Sequence, residues 1–317
     1  MQDPASAIEI AASRIRPYVR ETLLEYSPFF SQEARAQVFM KLENLQHTGS
    51  FKVRGAFNKL KSLSPEQLAR GCVVASSGNH GAAMAYAMAA LGAEGIIFVP
   101  EGTSETKVDA IRRLGGRIEF HVNDALETER HARSFAEREG MLYVSPYNDA
   151  EVVAGQGTIG LELSTQQESI DVVFVSVGGG GLISGIAAYL KSRFQQVRVV
   201  GCLPQNSPVM AKSVEAGRIL DMETQPTLSD GTAGGIEAEA ITFGLCERLV
   251  DEYVLVSEEE IKAAMRQFMN SHHMLLEGAA GVTLAGLLKK RGAFNGLNQV
   301  AVICGANISL DTLRTVL

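Results

Sequence analysis

The sequence has no hydrophobic run long enough to cross a membrane. Its longest apolar stretches, such as residues 96–99, fall far short of the roughly 20 residues that a membrane-spanning helix needs. The N-terminus has neither the basic segment nor the apolar segment of a secretory signal. We therefore expect a cytoplasmic protein without a membrane partner.

The sequence also lacks an excess of basic charge and any pair of cysteines in a C-x-x-C motif. Lysine and arginine number 29 against 36 aspartate and glutamate residues, which gives a formal net charge of −7. Because nucleic-acid binding relies on basic side chains that neutralise phosphates, no nucleic-acid partner is expected. The four cysteines, at positions 72, 202, 246 and 304, are widely spaced, which disfavours a disulfide scaffold and a structural zinc site.

The chain does have the composition of a folded protein. Its 317 residues are 46% hydrophobic and 21% charged, and at roughly 150 residues per domain the length favours two domains. Short β-branched runs alternate with segments of helical periodicity, which predicts an α/β fold with two open, twisted, mostly parallel sheets flanked by helices. Residues 204–240 are predicted to form loops with a short helix. The predicted strands are residues 38–42, 72–75, 95–99, 117–120, 171–177, 198–202, 253–256 and 299–303.

A run of glycines follows the most apolar predicted strand and opens a helix. Glycine allows positive φ angles and close backbone approach, and the N–H groups at a helix N-terminus bind anions such as phosphate. The alternative is a plain tight turn between a strand and a helix. The residues of this loop are Gly178, Gly179, Gly180, Gly181 and Leu182.

This loop departs from the dinucleotide-binding fingerprint, which requires G-x-G-x-x-G and an acidic residue about 20 positions later. Ile183 or Ser184 occupies the place of the third glycine, depending on which glycine begins the motif. The next predicted strand leads into Gly201, Cys202 and Leu203 without a carboxylate for a ribose. A monophosphate therefore fits the loop better than a dinucleotide, and a nicotinamide dehydrogenase is disfavoured.

Lys52 stands where a predicted strand and loop turn into a helix, and Ser50 is a candidate cap for that helix. A lysine in the first turn of a helix is electrostatically unfavourable. Together with partial burial, this lowers the pKa of the Lys52 amine and makes it nucleophilic. The alternative is an ordinary solvated lysine.

A polar turn of serine, glycine, asparagine and histidine, residues 76–81, lies between the strand 72–75 and an alanine-rich helix. Hydroxyl groups and helix N-terminal N–H groups suit a carboxylate, and ligands of open α/β sheets bind at this end of the strands. The alternative is simple N-capping, which accounts for one serine but leaves the rest of the polar run unexplained.

Six motifs, taken together and in this order, resemble those of the fold-type II pyridoxal-phosphate (PLP) enzymes, specifically the threonine/serine dehydratase and serine racemase group. The resemblance runs from about residue 15 to 317. It implies a fold like that of the tryptophan synthase β-subunit and a homodimer. It also implies a large PLP-binding domain at 1–70 and 148–317, with a small domain at 71–147 that covers the active site. The motifs are residues 41–55, 76–81, 154–158, 178–182, 277–281 and 304–307.

The resemblance implies a role for each candidate residue. Lys52 corresponds to the Schiff-base lysine, and Cys304 corresponds to the residue beside the pyridine nitrogen. The phosphate would rest on Gly178, Gly179, Gly180, Gly181 and Leu182. Asn79 corresponds to the residue that contacts the PLP 3-hydroxyl, and the turn that receives the substrate carboxylate consists of Ser76, Ser77, Asn79 and His80.

The implied reaction is β-elimination from a hydroxy-amino acid such as threonine or serine, which gives a keto acid and ammonia, with Lys52 as the base. An amino-acid racemase is the alternative, because Ser77 would lie on the ring face opposite Lys52. A non-catalytic protein that binds PLP or an amino acid is a third hypothesis. The glycine-rich loop 230–237 resembles a subgroup that degrades hydroxyectoine, which indicates a substrate larger than threonine.

Three further positions bear on the resemblance. Leu203 and Val209 stand where related enzymes place carboxylates for a divalent cation, so no metal site is expected. Glu277 has two equal interpretations, either an acid that stabilises a helix N-terminus or a neighbour of the cofactor.

Overall fold

The computed structural model describes residues 4–317, which form ten β-strands and fourteen α-helices. Strands β1 to β10 span, in order, Leu24–Tyr26, Gln37–Lys41, Cys72–Ala75, Gly95–Pro100, Ile118–His121, Leu142–Tyr143, Val172–Ser176, Arg198–Pro204, Glu252–Val256 and Asn298–Val302. Helices α1 to α14 span, in order, Pro4–Ile15, Pro28–Ala34, Lys52–Ser62, Pro65–Ala69, Asn79–Leu91, Glu105–Arg113, Ala125–Glu139, Ala150–Gln166, Gly181–Arg193, Val209–Ala216, Ile241–Leu249, Glu258–His272, Gly278–Lys289 and Leu310–Val316.

The strands form two sheets. The larger sheet has the order β1-β2-β10-β7-β8-β9 and the smaller has the order β5-β4-β3-β6. Strand β1 runs antiparallel to β2, and all the other pairings within residues 4–317 are parallel. Strand β7 is buried along its whole length, as expected for a parallel strand in the middle of a sheet that helices cover on both faces. The α/β fold class predicted from the sequence is therefore confirmed.

Helix α3, which begins with Lys52, packs into the core of the smaller sheet. Its Val53 and Phe57 lie in one hydrophobic cluster with Val74 of β3 and Ile97 of β4. The four strands of this sheet all lie within residues 71–147, whereas α3 lies outside that segment. The division of the chain into two domains at those bounds stays a prediction.

Helices α3 and α8 cross at a glycine contact. A Cβ atom on Gly155 would lie 2.7 Å from the carbonyl oxygen of Arg54 and 2.7 Å from the Cα atom of Gly55. A larger residue would push the two backbones apart, so this approach requires glycine. The start of α3 is thereby held directly against α8.

A buried ionic network fixes the same turn of α3 from its other side. The Arg54 guanidinium donates to Glu43 at 2.7 and 2.8 Å and to Glu162 at 2.6 and 2.9 Å. The Lys41 amine donates to Glu162 at 2.5 Å. The side chains of Arg54, Glu43 and Lys41 are fully buried, and buried charges are tolerated only when paired in this way.

The structure contains all of the predicted strands and adds two that the sequence pattern did not indicate. These are β1, at the edge of the larger sheet, and the two-residue strand β6. The segment 204–240 contains helix α10 and a 3₁₀ turn at Asp230–Thr232, in keeping with the prediction of loops and a short helix. Among residues 4–317, no helix combines the length and apolar character needed to cross a membrane.

Candidate active site

The candidate residues come together at the carboxyl ends of strands from both sheets. Cys304 follows β10, and its sulfur lies 3.5 Å from the hydroxyl of Ser176, the last residue of β7. The turn after β3 reaches the same place, because Asn79 donates to Glu277 and Cys304 lies against the same carboxylate. Parallel α/β sheets bind their ligands at this edge.

Lys52 is the first residue of α3, and its amine donates a hydrogen bond of 2.8 Å to the carbonyl oxygen of Pro146. Burial lowers the pKa of this amine to about 8, against a smaller opposing effect of Cys304 and Glu277. Lys52 is therefore not an ordinary solvated lysine. The capping prediction for Ser50 is wrong, because α3 has no side-chain cap and the buried Ser50 hydroxyl has no hydrogen-bond partner.

The glycine loop between β7 and α9 is packed tightly and offers free N–H groups. Gly180 has a φ of +85°, and a Cβ atom on Gly179 would lie 2.5 Å from the Tyr147 ring. The N–H groups of residues 178–182 have no acceptor within residues 4–317. These unpaired donors at a helix N-terminus fit an anion such as phosphate, and the plain strand-to-helix turn stays the alternative.

The turn between β3 and α5 is more open. The Ser76 hydroxyl accepts a hydrogen bond of 3.2 Å from the Gly78 N–H group, and no side chain caps α5. In the part of the chain that the structure describes, the backbone N–H groups of Asn79, His80 and Gly81 have no acceptor. The capping alternative therefore fails, and the free donors at this turn suit a carboxylate.

His80 takes part in this turn through its backbone. Its buried imidazole lies 3.0 Å from the carbonyl oxygen of Val144, which requires a proton on Nε2. Burial lowers the pKa of this imidazole to about 3, and the charge of Lys52 acts in the same direction. The ring is therefore neutral, and Nε2 already has its acceptor.

Glu277 is buried among the candidate residues. Its carboxylate accepts hydrogen bonds from the Asn79 amide at 2.9 and 3.0 Å and from the Asn307 N–H group at 3.1 Å. Burial raises the pKa of Glu277 to about 7, although the bond from Asn79 opposes the shift. Glu277 is also the N-cap residue of α13, although its side chain makes no capping bond there, so both interpretations of this acid stand.

The Cys304 thiol lies between Ser176 and Glu277. Its sulfur is 3.5 Å from the Ser176 hydroxyl and 3.9 Å from a carboxylate oxygen of Glu277. Burial, with the nearby charge of Glu277, raises the pKa of this thiol. Cys304 is therefore a neutral thiol at physiological pH.

A cavity of about 560 Å³ adjoins these residues. Glu277 and Asn307 line it on one side, and Ser104 and Lys107, at the start of α6, line it on the other. This volume is in the range of small-molecule sites. Its lining includes neither Lys52 nor the turns 76–81 and 178–182, so the cavity meets the candidate site at Glu277 and Asn307 alone.

The positions that differ from cation-binding relatives are filled by apolar packing. Leu203 and Val209 are almost completely buried, with 1% and 2% of their surfaces exposed. Within the part of the chain that the structure describes, no group of three or more His, Cys, Asp or Glu side chains is placed to hold a metal ion. These positions therefore supply no carboxylate ligands.

Sequence reasoning missed one part of the site, the turn 145–148 that follows β6. It supplies the Pro146 carbonyl that accepts from Lys52, and the Tyr147 ring that lies against Gly179. Glu237, from the loop before α11, is hydrogen bonded to the same turn. A turn that directly follows a parallel strand is a place where site residues are expected. The strand before this turn, β6, has only two residues, so the sequence pattern did not reveal it.

Comparison with known proteins settles the family. The chain matches the family of pyridoxal-phosphate dependent enzymes over residues 15–305. It belongs to this family. Its cofactor is therefore PLP, and the site residues fit that group: a buried amine with a lowered pKa suits the aldehyde, and the unpaired N–H groups of the glycine loop suit the phosphate.

Individual relatives give a narrower picture. L-threonine ammonia-lyase of Thermotoga maritima is 38% identical over 310 residues, which cover 98% of this chain and 77% of the relative. Threonine deaminase isoform 2 from Solanum lycopersicum has a TM-score of 0.94 at 32% identity, covering 100% of this chain and 93% of that one. Maize serine racemase has a TM-score of 0.93 at 30% identity, and the match covers 98% of this chain and 95% of the racemase. The similar proteins thus include a threonine ammonia-lyase and a threonine deaminase, which match the dehydratase prediction, and a serine racemase, which matches the alternative.

Proposed function

We propose that this PLP-dependent enzyme is an ammonia-lyase that eliminates the β-hydroxyl group of a hydroxy-amino acid such as threonine or serine, giving a keto acid and ammonia. The observation that carries the proposal is the buried Lys52 amine, which lies among an anion-binding loop, a carboxylate-binding turn and a neutral thiol. Its relatedness to L-threonine ammonia-lyase over 98% of the chain supports the same reaction.

Lys52 has two roles in this proposal. It attaches the cofactor, and its freed amine then takes the proton from the Cα atom of the substrate. The bound cofactor supplies the electron sink that stabilises the resulting negative charge. A pKa of about 8 leaves a useful fraction of the amine unprotonated near neutral pH, and the Pro146 carbonyl holds its N–H group in place.

The ring of the cofactor would lie between Asn79 and Cys304. As a neutral thiol, Cys304 does not stabilise a positive charge on the ring nitrogen as a carboxylate would. Without that stabilisation, less of the negative charge formed at the substrate Cα atom would spread into the ring, and this favours elimination over transamination. The phosphate would rest on the N–H groups of Gly178, Gly179, Gly180, Gly181 and Leu182.

The substrate carboxylate would bind at the turn between β3 and α5. Ser76 and Ser77 are half-buried there, and the N–H groups at the start of α5 are unpaired. The contribution of His80 is its backbone N–H group, because its neutral ring donates to Val144. Asn79 would contact the 3-hydroxyl of the cofactor and the substrate from the same helix start.

The test is a screen for ammonia and keto-acid release over L- and D-serine, L- and D-threonine and bulkier β-hydroxy amino acids. Borohydride reduction followed by peptide mapping should place PLP on Lys52. Lys52→Ala should lose activity, whereas Lys61→Ala, an exposed lysine on the same helix, should retain it. An active Lys52→Ala variant, or PLP mapped to another lysine, would overturn the proposal.

A larger substrate of the hydroxyectoine-derived type remains the prediction for loop 230–237. Gly234 and Gly235 have no atom within 4 Å of a Cβ position, so this part of the loop borders open space. The bulkier compounds of the screen test this prediction directly. Turnover restricted to serine and threonine would contradict it.

Racemisation is the second candidate function, and the observation in its favour is Ser77. This residue is half-buried in the polar turn, and its hydroxyl makes no hydrogen bond to any of the described residues, 4–317. A free hydroxyl on the face opposite Lys52 could return a proton to Cα. Chiral analysis should then detect a D-amino acid that disappears in Ser77→Ala, and its absence from the wild type would exclude this function.

We also propose a homodimer in the cytoplasm. Exposed apolar side chains lie at edge strand β1, including Leu23 and Tyr26, which are 62% and 43% exposed. Apolar groups of this kind are typical of a surface that a second subunit covers. Light scattering on the purified protein should give twice the mass of one chain, and a monomer would contradict this proposal.

A further inference from the structure

Glu237 is the centre of a hydrogen-bonded cluster that the proposed reaction does not use. One carboxylate oxygen accepts from the Ser145 hydroxyl at 3.0 Å and pairs with the Arg133 guanidinium at 2.9 Å. The other oxygen accepts from the Asn148 amide at 2.8 Å. Its backbone N–H group donates to the Tyr147 hydroxyl at 2.9 Å. Four side chains from outside its own loop therefore hold this one residue.

Three of the four partners belong to the turn 145–148, which touches the cofactor-binding residues at two points. The Pro146 carbonyl accepts from the Lys52 amine at 2.8 Å. The Tyr147 ring fills the space beside Gly179, where a Cβ atom would come within 2.5 Å. A shift of this turn would therefore move both the acceptor of Lys52 and the wall of the glycine loop.

The fourth partner, Arg133, comes from α7 beside the smaller sheet. Its guanidinium lies 4.2 Å from the centre of the Tyr143 ring and is paired with Glu129 as well as with Glu237. Arg133 and Glu237 are about a third and a quarter exposed, at 36% and 23%. Partly buried charge-assisted bonds of this kind are stronger than those of fully exposed pairs.

We propose that Glu237 is a positioning residue, which fixes the turn 145–148 and with it the place of the Lys52 amine. The inference rests on the proposed role of Lys52 and extends it to a residue in the loop before α11. Glu237 contacts neither the Lys52 amine nor the glycine loop, so it acts on both through the turn.

The carboxylate chemistry makes Glu237→Gln an informative change. The carboxylate meets donors at both oxygens, so an amide would direct its NH₂ group at the Asn148 amide or at Arg133. Asn148 cannot simply turn over, because its carbonyl oxygen accepts from the Ile241 N–H group at 2.9 Å. The variant thus keeps the size of the side chain but brings its NH₂ group against another hydrogen-bond donor. A hydrogen bond to the turn is lost, and the turn is held less firmly.

Glu239 provides a matched control in the same loop. It is exposed, and Glu239→Gln makes the same change in net charge without touching the turn. Arg133→Met and Arg130→Met form a second pair on α7, because Arg130 is exposed and bonds only to Glu127. Within each pair both variants lose the same charge, but only Glu237→Gln and Arg133→Met lose a contact of this cluster. A difference within a pair therefore reports the lost contact and not the change in net charge.

The experiment measures how fast each apoenzyme captures added PLP across a range of pH. A loosened turn admits water to the Lys52 amine, and this reverses the burial that lowers its pKa. Glu237→Gln should therefore capture PLP roughly fivefold to tenfold more slowly at pH 7, with the midpoint of its pH profile about 0.7 to 1 unit higher. Arg133→Met should shift in the same direction by less.

The controls should stay within about twofold of the wild type, with unchanged midpoints. If Glu237→Gln matches Glu239→Gln in rate and midpoint, or lowers only the melting temperature, the inference is wrong. Should Glu237→Gln fail to fold, the comparison of Arg133→Met with Arg130→Met decides the question. Failure of the wild-type apoenzyme to bind PLP at Lys52 would instead overturn the proposed function.

Discussion

The glycine turn after β7 and the serine turn after β3 both join a parallel strand to a helix with unpaired N–H groups, yet Gly179 in the first turn and Gly78 in the second have opposite surroundings. A Cβ atom on Gly179 would collide with Tyr147, and one on Gly178 would come within 2.9 Å of Thr232. A Cβ atom on Gly78 would meet nothing within 4 Å. The packed turn suits a group that stays bound, and the open turn suits a substrate that enters and leaves.

The largest expected effect comes from filling the packed turn. Gly179→Ala places a methyl group 2.5 Å from the Tyr147 ring, so the loop or the ring has to move. Overpacking of this size should weaken PLP binding by roughly tenfold to hundredfold. The dissociation constant measured by PLP absorbance on the apoenzyme checks this, and an unchanged value would show that the turn is not a tight cradle.

The second effect is a pH dependence of Lys52, the amine near both turns. Only the neutral amine attacks an aldehyde, so capture of PLP should slow as pH falls below the pKa of about 8. The loss should approach roughly tenfold per pH unit, as for a single titrating group. Stopped-flow measurements between pH 6 and pH 9 test this, and a flat profile would contradict it.

Ser76→Ala should affect the open turn alone. It removes the acceptor of the Gly78 N–H group, a bond of 3.2 Å that orders the turn. The KM for the best substrate should rise roughly fivefold, because one neutral hydrogen bond is lost, while the PLP content stays at the wild-type level. Loss of PLP from this variant would mean that the two turns are not separate in function.

The smallest effect should come from Gly78→Ala. The backbone of Gly78 has a negative φ of −109° that other residues adopt, and the added methyl group meets no atom. PLP binding and KM should both stay within about twofold of the wild type. A strong effect here, measured beside Gly179→Ala, would contradict the contrast between a packed and an open turn.

The local parts of the site were predictable from the sequence because each is a short motif with its own physical signature. The glycine run after an apolar strand predicted the unpaired donors of residues 178–182, whereas the lowered pKa expected for Lys52 at a helix start results from burial of its amine. The strands were predictable for the same reason, since buried parallel strands are continuous apolar runs. PLP followed from a resemblance of motifs rather than from any one of them.

The parts that the sequence did not reveal depend on contacts between distant segments. Glu237 and Ser145 are 92 residues apart, and nothing in either local pattern indicates that they meet. Nothing in the sequence around Glu277 indicates that Asn79 and Cys304 lie against its carboxylate. The capping prediction for Ser50 was wrong because Phe51 already occupies the capping position with helical backbone angles.

The ionic network beneath α3 limits how this region can change over evolution or in protein engineering. Arg54, Glu43, Glu162 and Lys41 balance two positive charges with two negative ones. Replacing any one of them leaves an uncompensated buried charge, so the four positions should vary together among related chains. A design that transplants the lysine-bearing helix into another scaffold would have to carry all four residues with it.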